Sequence, residues 1–131
     1  MSEENVDVIR QTYEDWNRRD FATAQKAWDP EVEIELSTES VVDGTYRGYE
    51  GLRKATRFWG AFTDFRTEIH EVRPTGDKVF VTVHHFGRGK SSGVDVKMEN
   101  WQVFTLRQGR IVRWEVYGTR PKALEAAGLS E

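Results

Sequence analysis

Apolar residues recur at helical intervals in the first half of the chain and at every second position in most of the rest. Val6, Ile9, Tyr13 and Trp16 share one face of a helix predicted from about Glu3 to Arg18. Asp20 is placed to cap a second helix carrying Phe21, Ala24 and Trp28, which ends near Trp28 because Pro30 forces the residue before it out of helical space. In EVEIELS, Val32, Ile34 and Leu36 alternate with Glu31, Glu33 and Glu35, the period of a half-buried strand with its glutamates on one face. STESVVDGTYRG is polar and turn-rich, a loop with a short strand around Val41. Leu52, Ala55, Trp59 and Phe62 return to helical spacing and predict a third helix from about Tyr49 to Phe62.

From there to residue 119 the runs FRTEIHEVRP, DKVFVTVHHFG, VDVKMENWQVFTLR and RIVRWEVYG are separated by the turn signals TGD, GRGKSSG and QG. They predict four consecutive antiparallel strands. RPKALEAAG, with Pro near its start and Gly128 past its end, closes the chain as a short helix. The expected architecture is one α+β domain over residues 1–131: a curved antiparallel sheet wrapped around three N-terminal helices, with a cone-shaped cavity between them.

GRGKSSG, residues 87–93, first suggests a phosphate cradle. Such a loop needs a helix after it, so that the helix N-terminus faces the anion. Here another strand follows, so the glycines serve a chain reversal and leave Arg88 and Lys90 in water.

Composition narrows the function classes. Zero cysteines exclude a disulfide scaffold, thiol catalysis and thiolate-bound zinc. A net charge of −3 does not suit a nucleic-acid binder, which usually carries a basic face. No run approaches the roughly 20 apolar residues of a membrane span, and the N-terminus lacks the pattern of a signal peptide, so a cytoplasmic protein with no membrane partner is expected. Five Trp, seven Phe and four Tyr exceed what a small core requires and suit a concave apolar pocket for a small hydrophobic molecule.

The element order, with YRGYEGLRKA before the sheet and GRIVRWEVYG near its end, resembles the SnoaL-like group of the nuclear transport factor 2-like superfamily. That group includes polyketide cyclases and is related to ketosteroid isomerase and limonene epoxide hydrolase. The resemblance implies the nuclear transport factor 2-like, or cystatin-like, fold, and turns similar to GRGKSSG recur in it. It does not imply one activity, because the fold hosts isomerases, hydrolases, cyclases, dehydratases and non-catalytic binders.

If Leu106 pairs with Ile111 across RQGR, Trp101 faces Val116 and Val103 faces Trp114. Alternation alone does not say which face of this hairpin is concave, since both carry apolar residues. The resemblance to limonene epoxide hydrolase turns Trp114 and Val116 inward, and with them Trp101, Val103 and Glu99. It leaves the opposite face for a homodimer contact. Valine at 116 does not activate water, which argues against epoxide hydrolysis by that family's mechanism. Against ketosteroid isomerase, Tyr13 matches the oxyanion tyrosine, the acidic donor falls near Trp101, and the base falls at Ile34 or Glu35 according to the strand's register.

His84 and His85 are adjacent on a strand and point to opposite faces, so they do not share a metal. Extending the alternation of Val79, Val81 and Val83 turns His85 inward, where an imidazole with an unperturbed pKa of about 6.5 suits acid–base work. The bland alternative is a hydrogen-bonded strand histidine. Glu99 is the expected partner of His85, either as an acid–base dyad or as an ordinary cross-strand ion pair. Glu68 and His70 share a strand face without a third ligand, and no metal or other cofactor is assigned. The catalytic candidates are therefore His85, Glu99 and Tyr13. Trp16, Trp28, Tyr46 and Trp59 read first as core and then, with Trp101, Trp114 and Val116, as ligand-lining. Two functions stand: an isomerase, cyclase or dehydratase moving a proton on a small hydrophobic molecule, and a binder or structural dimer that does no chemistry.

Overall fold

A computed structural model describes residues 2–130. Helix α1 (Ser2–Asn17) and the short α2 (Phe21–Gln25) lead into β1 (Trp28–Ser37) and β2 (Gly44–Arg47). Helix α3 (Gly48–Thr56) runs on into a single 3-10 stretch, Arg57–Ala61, before the long strands β3 (Phe62–Thr75), β4 (Lys78–Gly89) and β5 (Asp95–Arg107). Strand β6 (Arg110–Tyr117) and helix α4 (Arg120–Ala127) complete the chain. The six strands form one sheet in the order β2-β1-β6-β5-β4-β3. The last four strands make the expected antiparallel meander, whereas β1 joins the sheet parallel to β6.

Three local expectations are corrected. Trp28 opens β1 instead of closing α2, and Pro30 lies within that strand. The short strand falls at Gly44–Arg47, not at Val41, which is fully exposed in the preceding loop. The third helix tightens at Arg57 into the 3-10 stretch, which carries Phe58 and Trp59 out of the α-helical phase.

The sheet has two covered faces. Its concave face packs Val79, Val81, Val83, Phe104, Ile111 and Val116 against Ile9 of α1 and Ala55 of α3. Ile34 is fully buried within this layer while Glu35 bonds Arg113 on the other face, which settles the register of β1. On the convex face α4 lays Ala123, Leu124 and Ala127 over Phe80 and Val103, with Trp101 and Tyr117 at the margin. Helix α4 ends on Gly128 at φ 74, a left-handed turn that glycine enters without Cβ strain.

The β5–β6 hairpin decides which side chains enter the cone. Gln108 and Gly109 both have positive φ, 51° and 76°, the requirement of a tight two-residue reversal. Leu106 pairs with Ile111 as the sequence predicts, but a bulge between Thr105 and Leu106 moves the register one residue beyond it. Trp101 then faces Tyr117, Gln102 faces Val116 and Phe104 faces Trp114. A one-residue slip exchanges the faces of a strand. Trp114 and Val116 point inward as expected, Gln102 and Phe104 join them, and Trp101, Val103 and Glu99 turn to the convex side.

Helix α4 is tethered by Arg120, which meets Glu71 of β3 at 2.6 Å. The Arg120 guanidinium holds the Glu71 carboxyl below the usual carboxylate range, with a further hydrogen bond from Thr82. A lowered folded-state pKa gives stability that is present at neutral pH and is lost as pH falls through the lowered value. Carbon-detected NMR titration of the Glu71 carboxyl should therefore show a midpoint below that of an ordinary glutamate. In Arg120→Met it should return toward the ordinary range, and an unchanged midpoint would mean that the tether does not operate in solution.

Candidate functional site

The concave face carries a line of polar groups across an otherwise apolar surface. Tyr13, the third residue of the α1 stripe, donates its hydroxyl to Gln102 Oε1 on β5. The same oxygen accepts Trp114 Nε1–H from β6 at 2.9 Å. Gln102 Nε2 then donates to Asn100 Oδ1, two residues away on the same face of β5, at 3.1 Å. One strand across, His85 lies in the face of β4 next to Val83, and its Nδ1 is 2.8 Å from Thr67 Oγ1 on β3. Asn17, at the end of α1, holds the Thr67 backbone N–H and C=O, both at 2.8 Å, so β3 is fixed at this point by helix as well as by strand.

His85 is the unusual member. It is 5% exposed, and its Nε2 has no hydrogen-bond partner. A buried polar atom left without a partner is uncommon and costs free energy; His84 Nδ1, Trp101 Nε1 and Thr105 Oγ1 are in the same state, and of the four only His85 Nε2 belongs to a ring on the concave face. Trp59 and Phe65 flank the imidazole, their ring centroids 4.9 and 5.8 Å from it. Burial lowers the His85 pKa to about 4, against an opposing pull from the Asn100 carboxamide and with a smaller push from His84 in the same downward direction. At neutral pH the imidazole is uncharged. Burial also pushes the Tyr13 phenol up, so Tyr13 stays a proton donor.

The structure brings His85, Tyr13, Trp59, Trp114 and Val116 to the concave side and separates Glu99 from them. Register places Met98 opposite His85 and Glu99 opposite His84. The expected His85–Glu99 pair is replaced by His84 Nε2 to Glu99 Oε2 at 2.7 Å on the convex face. There the His84 ring stacks on His70 at 3.8 Å, and Glu68 lies 3.4 Å from His70. Among the described residues no group of three or more histidines or carboxylates is arranged to hold a metal ion.

Trp101 is likewise displaced to the convex side beside α4. Trp28 and Trp114 contact each other and Phe104 at ring distances of 5.3 to 6.2 Å, so these tryptophans pack the cone. Tyr46 packs against the same layer and spends its hydroxyl on Val42 O at 2.6 Å. Trp16 meets Phe21 and Phe65 at the end of α1. Depressions of about 460 Å³, at Asp77 and Arg107, and about 320 Å³, at Arg66 and Phe86, lie away from the polar line. Tyr13, Asn100, Trp59 and Trp114 are half-buried.

Gln102, Asn100, Thr67 and Phe65 were not singled out by the sequence. The unbulged register, which turns Trp101 and Val103 inward, leaves Gln102 and Phe104 on the outer face, and Asn100 and Thr67 carry no chemical signature apart from the strand that holds them. The GRGKSSG loop is a strand reversal, as expected: Gly93 has φ 69°, and Gly93 N–H bonds Gly89 O at 2.9 Å. Arg88, expected to be free in water, is exposed and paired with Asp95 at 2.9 Å.

A family model described as the SnoaL-like domain matches residues 9–114. Among solved structures, AclR of Streptomyces galilaeus, thought to be a hydroxylase, superposes with a TM-score of 0.78 at 16% identity, covering 98% of each chain. A protein of Jannaschia sp. CCS1 thought to be a SnoaL-like polyketide cyclase gives 0.75 at 18% identity, over 97% of this chain and 92% of its own. A nuclear transport factor 2-like protein of unknown function from Burkholderia pseudomallei K96243 gives 0.76 at 20% identity, over 95% and 97%. No curated protein matches the chain. At these identities the structural likeness concerns the fold alone.

Proposed function

Because the chain belongs to the SnoaL-like domain family, we propose that it binds a small, largely apolar molecule on the concave side of the sheet and moves a proton on it, with His85 as the base. The observation that carries this reading is the buried, unpartnered Nε2 of His85. With Nδ1–H directed to Thr67 Oγ1, Nε2 presents its lone pair, and the lowered pKa keeps that lone pair free at neutral pH.

The chemistry is an acid–base shuttle. A proton on carbon next to a carbonyl passes to Nε2, and the electron pair of the C–H bond moves to the carbonyl oxygen. Negative charge building there meets the Asn100 carboxamide N–H, since Gln102 takes only Asn100 Oδ1, while the Tyr13 hydroxyl and the Trp114 indole stay committed to Gln102 Oε1. Burial disfavours the imidazolium, so the proton is returned readily, at the same carbon or at another along the conjugated system. A non-catalytic binder is favoured by one observation. Glu99 stands on the other face of the sheet, and no carboxylate orients His85 or stabilises its cation.

Native mass spectrometry of the purified protein, followed by hydrogen–deuterium exchange of the recovered molecule in heavy water, separates the two. The proton-transfer reading expects deuterium to enter the carbon next to the carbonyl when protein is present, and incorporation to fall by about 100-fold or more in His85→Gln while binding persists. Binding with no incorporation by the unaltered protein would leave the binder.

A further inference from the structure

Six aromatic rings form one connected surface at the end of α1 and extend it to His85. Phe21 meets Trp16 at 5.0 Å and Trp16 meets Phe65 at 6.2 Å; Phe65 meets Trp59 at 4.4 Å, and Trp59 meets Phe58 at 5.0 Å and Phe62 at 5.7 Å. The outermost two, Phe21 and Phe58, are 49% and 44% exposed, which is unusual for side chains of this size on a monomer unless something covers them. Two ring contacts, Phe58 to Trp59 and Trp59 to His85, separate this surface from the unpartnered Nε2.

Three cations stand beside these rings. Arg19 lies two residues before Phe21, in the turn between α1 and α2 with φ 64°, and Arg57 immediately precedes Phe58. Lys90 is brought alongside by its backbone, which donates to Ala61 O at the end of the 3-10 stretch at 3.0 Å. Arg19, Arg57 and Lys90 are exposed, and none has an ion-pair partner among the described residues. Neighbouring cations are engaged elsewhere: Arg18 with Asp15, Lys54 with Glu50 and Arg88 with Asp95. Two carboxylates stand here as well: Asp20, which accepts the Thr23 N–H at the start of α2, and Asp64, which precedes Phe65 and acts on Arg88. Exposed cations without ion pairs thus flank an apolar surface that reaches the ring of His85.

Resting on the binding reading above, we propose that the ligand is an amphiphilic monoanion. Its carboxylate or equivalent sits near Arg19, Arg57 and Lys90, its flat apolar body lies along Trp59 and Phe65, and a hydroxyl at the far end donates to His85 Nε2. Each part matches a separate feature. The exposed rings are covered by the body, the flanking charges are neutralised by the head, and Nε2 gains the partner it lacks. An uncharged molecule of the same shape satisfies only two of the three.

Isothermal titration calorimetry with 6-hydroxy-2-naphthoate and its methyl ester tests this, since the two share a body and differ only in the charge of the head. The anion is expected to bind about tenfold more tightly than the ester, a gain of about 1.4 kcal/mol. The preference should shrink with added salt, because the cations are exposed. In the combined variant Arg19→Gln, Arg57→Gln, Lys90→Gln the anion should fall to the affinity of the ester while the ester is unchanged. Circular dichroism checks that this surface variant is folded. Equal binding of both probes, or a preference that survives the combined variant, overturns the anionic head and leaves the binding site standing. Failure of both probes to bind at millimolar concentration overturns the site as well.

Discussion

Phe104→Ala is expected to lower the stability of the domain by about 3–5 kcal/mol, among the largest losses available to a single substitution in this chain. Phe104 is 2% exposed and meets Tyr13, Trp28 and Trp114 edge-on or stacked at 6.0, 6.0 and 6.2 Å. It therefore touches α1, β1 and β6 from the middle strand of the concave face. Truncation removes the buried ring and leaves a void between three large side chains that are fixed by their own neighbours. Trp114 and Tyr13 both hydrogen-bond Gln102, and Trp28 opens β1, so none can move in without breaking something else. Urea unfolding measures the loss, with an unchanged m-value showing that both states keep their extent. A loss below about 1 kcal/mol would mean that the concave layer is not closed in the way described.

The second large effect is a weakness towards acid located at His85. Its pKa falls from the unfolded value of 6.5 to about 4, chiefly because burial penalises the charged ring. Between those limits the unfolded chain takes up a proton that the folded chain refuses, so stability rises with pH. The contribution is fully retained above about pH 6.5 and is lost progressively down to about pH 4, where it approaches 3 kcal/mol. Urea titrations at pH 7 and pH 5 should show the unaltered protein losing about 2 kcal/mol more than His85→Gln, in which no such group titrates. If the two lose the same amount, the imidazole is reached by water and its Nε2 is not the protected base proposed above. A ligand that hydrogen-bonds Nε2 and stabilises the neutral ring should deepen the effect, because it binds only the folded, uncharged form.

Much of the architecture follows from the periodicity of the chain. The α1 stripe, the four long strands and their turns lie close to where the spacing of Val6, Ile9, Tyr13 and Trp16 and the alternation of Val79, Val81 and Val83 place them. The site was legible only in part, and for a definite reason. His85 follows from alternation within one strand, which needs no knowledge of the neighbours. Gln102, Trp101 and Glu99 depend on how β5 is registered against β6, and the bulge between Thr105 and Leu106 leaves no pattern in the hydrophobicity of either strand. The usual remedy is to ask which face is apolar. That fails here because α4 covers Phe80 and Val103 on the convex side, so both faces of β5 carry buried residues. The break of the third helix at Arg57 was hidden similarly: Trp59 and Phe62 fit helical spacing, but Trp59 lies beside His85 in the 3-10 stretch and Phe62 opens β3.

The parallel pairing of β1 with β6 has a consequence for how the molecule comes together. Trp28 and Glu33 to Ser37 find their partners at Ile111 and Arg113 to Tyr117, near the other end of the sequence. A nascent chain that has not yet reached Arg110 has β1 paired only with the four residues of β2, and Val32, Ile34 and Leu36 have no strand on their other side. The antiparallel meander from Phe62 onward is built from neighbours and can assemble in order. The first strand of the chain is thus among the last to be enclosed, and during synthesis it waits as an apolar edge with nothing beside it.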